Sequence, residues 1–122
     1  MTIQNGAAKC IAGLLGFTAI LSGAFGAHLF RGLLQNQGTM QIWQTGALYH
    51  LVHAVVLLVL SAWRPVPGIA FSLILGGVIV FSGSLYALAL TNFHWLGAIT
   101  PLGGLCILAG WVALAFGKRA SR

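Results

Sequence analysis

The chain contains no aspartate and no glutamate. That absence removes whole classes of chemistry. There are no paired carboxylates for acid–base catalysis, no carboxylate ligand for a hard cation, and no buried glutamate to drive a proton-coupled exporter. Basic charge is also scarce, limited to Lys9, Arg31, Arg64, Lys118, Arg119 and Arg122. Charged residues make up 5% of the sequence, against about 25% in ordinary soluble domains. A soluble fold of 122 residues, 59% of them hydrophobic, could not cover its surface with polar groups. Lipid removes that requirement. The six cations are scattered outside the apolar stretches, without the interleaved aromatics of a nucleic-acid site. No nucleic-acid partner is expected. Membrane lipid phosphates are the expected counter-ions, at about 1 kcal/mol per basic residue near an anionic leaflet. The two cysteines, Cys10 and Cys106, fall at different membrane depths and are read as small packing residues.

What the sequence has is long apolar runs, at about 10–30, 45–63, 68–91 and 96–116. The first is too long for a signal-peptide core, and three more follow it. Each run can cross ~30 Å of hydrocarbon as a helix, the only unclosed structure that satisfies its own backbone in lipid. The expectation is an all-α membrane protein. Residues 1–122 would form a single four-helix transmembrane domain, a compact bundle of two hairpins. Pro65 and Pro67 mark the turn between the second and third helices. Orientation follows from the cations. Lys9, Arg64, Lys118, Arg119 and Arg122 fall on one side and Arg31 on the other. Both termini are therefore expected in the cytoplasm, with the protein in the inner membrane. Trp43 and Trp95 would then lie at the outer interface, and Trp63 and Trp111 towards the inner one. The connection 31–44 reads as a loop resting on the membrane.

Apolar side chains gain little from one another in lipid, so small residues must let the helices approach. Four-residue spacings such as Thr18-Ser22-Gly26 and Ala19-Gly23-Ala27 nominate Gly23, Gly26, Gly83, Gly103 and Gly104 as packing positions. Gly23→Leu or Gly83→Leu is expected to block assembly. Helix direction puts His28, Thr45, Tyr49, His50, His53, Tyr86 and Thr100 in the outer half, while the inner half is almost wholly aliphatic. Polar residues within a membrane usually face the protein interior. Two readings stay open for this cluster. It fastens the helices, or it receives a lipid head group, a quinone or a metal from the outer leaflet. There is no H-x-x-x-H, no C-x-x-C and no G-x-S-x-G, so no metal, cofactor or catalytic residue is assigned and no enzyme is expected.

Several motifs follow one another in order. Gly23-Ala24-Phe25-Gly26-Ala27-His28 closes the first helix. Trp43-x-Thr45-x3-Tyr49-x3-His53-Ala54 opens the second. Ser82-Gly83-Ser84-Leu85-Tyr86-x-Leu88-Ala89-Leu90-Thr91 closes the third. Gly97-x-Ile99-Thr100-Pro101-Leu102-Gly103-Gly104, followed by Gly110-Trp111, covers the fourth. Together they resemble the YgdD family of small bacterial inner-membrane proteins, a domain of unknown function with mitochondrial relatives. The chain departs from that pattern at His50, where Gln is the expected residue. The resemblance implies four helices and a signature made of His28, Tyr49, His53, Tyr86 and Thr100, and it supplies no activity. The leading expectation is a non-enzymatic membrane protein whose polar cluster organises the bundle and binds lipid, quinone or a partner subunit, as a homo-oligomer or an accessory subunit of a membrane complex. The alternatives are a small oligomeric transporter or channel, and a metal- or haem-handling protein.

Overall fold

The computed structural model describes residues 3–117. Lys118, Arg119 and Arg122, three of the cations behind the expected orientation, lie outside the described residues. The regular elements among those residues are all helices, with no strand. The elements are α1 (Asn5–Ala27), α2 (Arg31–Gln37), α3 (Met40–Ser61), α4 (Gly68–Thr91), a 3-10 turn (His94–Ala98) and α5 (Thr100–Phe116). α1, α3, α4 and the turn with α5 are the four spans long and apolar enough to cross a membrane. The 22 residues of α3 alone reach about 33 Å at ~1.5 Å per residue.

The helix ends explain where the expected boundaries moved. Terminal carbonyls have no intrahelical partner, and near lipid they cannot rely on water. α1 starts at Asn5 rather than near residue 10, and the Asn5 amide donates to Ser61 O (2.7 Å) and Trp63 O (3.0 Å) at the end of α3. The connection 31–44 is not a loop resting on the surface. It forms α2 and the first turn of α3. Leu34 is fully buried, and Gly38, in the left-handed conformation at φ 70°, stops α2. Gln37 Nε2 (2.7 Å) and Thr39 Oγ1 (2.8 Å) both donate to Ala89 O in the last turn of α4.

α1 packs on α3, α3 on α4, and α4 on α5. No Cα of α1 comes within 8 Å of one in α4 or α5, nor does α3 approach α5 that closely. The two expected hairpins are present, joined through α3 and α4 into a row of close backbone contacts, and one buried apolar cluster draws on α1, α3, α4 and α5. α1 meets α3 through buried Ala8, Ala12, Ala19 and Gly26, at steps of four, seven and seven residues. The α4–α5 seam runs antiparallel through Ser84 with Thr100, Phe81 with Gly103, Gly77 with Ile107, and Ile74 with Gly110.

Candidate functional site

The polar residues of the half remote from the termini do gather between helices, but only some of the candidates take part. His50 is buried at the centre. Thr18 on α1 donates its hydroxyl hydrogen to Leu15 O (2.9 Å), so its oxygen accepts from His50 Nε2 at 3.0 Å. His50 Nδ1 then accepts from the Tyr86 hydroxyl of α4 at 2.9 Å. These partners fix a neutral tautomer and make one chain of hydrogen bonds from α4 through α3 to α1. Ser82 Oγ donates to Gly46 O (2.8 Å) across the same α3–α4 contact.

His53, one turn nearer the chain ends, turns the other way. Its Nδ1 donates to Tyr49 O (2.8 Å), and its Nε2 accepts from Trp111 Nε1 on α5 at 3.2 Å. Thr100 Oγ1 and Ser84 Oγ lie 2.6 Å apart and pin α5 to α4. His50 faces α1 and α4 while His53 faces α5. The two imidazoles therefore do not converge, and all four ring nitrogens have protein partners. Among the described residues no group of three or more metal-binding side chains comes together.

The other candidates stand apart. His28 is exposed at the end of α1. Thr45 donates only to Gln41 O within its own helix (2.9 Å). Tyr49 is 41% exposed; its ring stacks on His53 and tilts against Phe81, 4.7 Å between centroids. The single pocket holding all seven candidate residues is thus replaced by three inter-helix fasteners, at His50, at His53 and at Thr100.

Trp43 is the largest correction. The sequence puts it in an interfacial belt, yet it is 5% exposed. Its Nε1 donates to Ser22 O (2.8 Å), and its ring lies between Phe30 and Tyr86, 5.6 and 4.6 Å between centroids. It occupies the space a side chain at Gly26 would need. Trp111 spends its indole N–H on His53 while its ring stays 44% exposed. Thr18 was not singled out for a polar role. Its signal was its depth, level with His50 on an antiparallel neighbour.

The proposed packing glycines divide. A Cβ at Gly103 would collide with the Phe81 backbone, and one at Gly26 with Trp43. Gly104 would make ordinary contact with the Phe81 ring at 3.7 Å. Gly23 and Gly83 face open space within the chain. Gly110, the third small position the sequence offers on the last helix, is tight as well, and so is Gly77, which the spacing does not pick out. Cβ atoms added at Gly77 and Gly110 would lie 2.7 Å from Ile107 N and 2.5 Å from Ile74 Cγ1, respectively.

Four apolar spans fastened by buried hydrogen bonds define a polytopic α-helical membrane protein. The family described as "Protein of unknown function (DUF423)" matches residues 22–104. The chain belongs to that family. It is 40% identical over 102 residues to the UPF0382 membrane protein YwdK of Bacillus subtilis, covering 79% of this chain and 82% of the relative. A UPF0382 membrane protein of Haemophilus influenzae is 39% identical over 113 residues, covering 89% and 90%. The inner membrane protein YgdD of Escherichia coli is 35% identical over 116 residues, covering 87% and 84%. No solved structure matches the chain.

Proposed function

We propose that the protein is a non-enzymatic component of the inner membrane, with both termini in the cytoplasm. Its His50 and His53 networks hold a preassembled row of helices, and the edges of that row receive a second copy or another membrane subunit. The observation that carries this reading is the commitment of every imidazole nitrogen of His50 and His53 to a neighbouring element or backbone. Groups committed in this way stiffen a bundle. The backbone contacts support the assembly half of the proposal, since α1 packs closely on α3 alone and α5 on α4, with α5 reaching α3 through the side chain of Trp111.

The test is native mass spectrometry of the full chain released from membranes in mild detergent. The expected species carries more than one protein subunit, and Tyr86→Phe lowers its thermal stability. A monomer retaining one small organic molecule or metal ion, lost in Tyr86→Phe, would replace the scaffold by a carrier.

A further inference from the structure

α3 and α5 flank α4 without touching along their backbones. The hydrogen bond between His53 and Trp111 bridges them near mid-span. From that bridge towards the end carrying the termini, the two helices stand apart around an open groove of about 470 Å³. Val56, Val59 and Trp63 line one wall, and Trp111, Leu114 and Ala115 the other. The groove follows α3 from Val55 to just past its last turn. That is about 12 Å of helix rise, out of the ~15 Å of hydrocarbon in one leaflet.

Polarity and shape select the occupant. The groove is open along one side and lined almost wholly by apolar side chains, which suits an extended hydrocarbon chain. Charge selects the head group. Arg64 follows the lining Trp63 directly and is exposed, with Asn5 Oδ1 at 3.4 Å from its guanidinium. In sequence, Lys118 and Arg119 follow the last turn of α5. With no acidic residue anywhere in the chain, these cations have no side-chain counter-ion of their own. A phosphate matches a guanidinium in charge and in hydrogen-bond geometry.

We propose that the α3–α5 groove holds one acyl chain of an anionic phospholipid whose phosphate sits at Arg64. This site is separate from the His50 network and does not depend on it.

The test offers purified full-length protein phosphatidylglycerol and phosphatidylcholine of equal chain length in mild detergent. Retained lipid is read by native mass spectrometry. Wild type is expected to keep one phosphatidylglycerol, preferred about fivefold or more over phosphatidylcholine. Arg64→Gln should reduce that preference about fivefold. Val56→Phe, or Ala115→Phe at the exposed rim, should displace the lipid, while Tyr86→Phe should leave retention unchanged. Equal retention of both lipids by wild type, an unchanged preference in Arg64→Gln, or full retention in the filled variants would each overturn the proposal. So would a protein dimer that excludes lipid and is broken by Ala115→Phe.

Discussion

His50 is a single side chain between two helices whose backbones stay apart, with Thr18 on one side and Tyr86 on the other. A planar group with one donor and one acceptor is what that position needs. A Gln amide offers both, so His50→Gln should keep the α1–α3–α4 link, with thermal stability in detergent close to wild type. His50→Leu should lose both bonds, at about 0.6 kcal/mol each and up to ~1.7 in the best geometry. Thermal unfolding of the two variants separates these outcomes, and a His50→Leu/Tyr86→Phe double-mutant cycle should show coupling of about 0.6 kcal/mol. Equal loss in Gln and Leu would mean that ring packing, not hydrogen bonding, holds the site. The depth of His50, His53, Tyr86 and Thr100 was legible from helix direction. Their azimuth was not, because helices that are apolar all round carry no sequence signal for rotation. For the same reason Tyr49 and Thr45, one helix turn apart, could not be told from His50.

At the scale of whole elements, the α4–α5 seam is held by absence of side chains. Gly77, Gly103 and Gly110 lie where a Cβ would meet the opposite helix. Gly103→Leu should therefore force the helices apart and destabilise the protein by ~1–3 kcal/mol or more. Gly83→Leu and Gly23→Leu, facing open space, should leave the monomer's melting temperature near wild type. The reverse ranking would place the seam on the other face of α4. The sequence displayed the lengths of the four apolar runs, since hydrocarbon thickness fixes them. It hid which glycines pack, because four-residue spacings occurred on several faces of one helix. It also hid α2, a short helix of mixed polarity whose anchors, Gln37 and Thr39, bond a carbonyl fifty or more residues away. Such contacts leave no local pattern.

For the whole molecule, the N-terminus of α1, the C-terminus of α3 and the start of α4 meet at one end, joined by Asn5 to Ser61 and Trp63. α2 covers the other end of α4. This fixes which ends lie together but not which face of the membrane they occupy. Charge has to decide that, and the bias is five cations against Arg31. A C-terminal fluorescent-protein fusion should therefore fluoresce in cells, and an alkaline phosphatase fusion at the same place should be inactive. In a background of Cys10→Ser and Cys106→Ser, Asn36→Cys on the exposed side of α2 should react with a membrane-impermeant maleimide added to the periplasmic side. An active phosphatase fusion with a protected Asn36→Cys would invert the protein. Arg31 would then be the cytoplasmic anchor, and the groove beside Arg64 would open to the outer leaflet. The hydrogen-bonded row would be unchanged, since no bond within it depends on which side of the bilayer it faces.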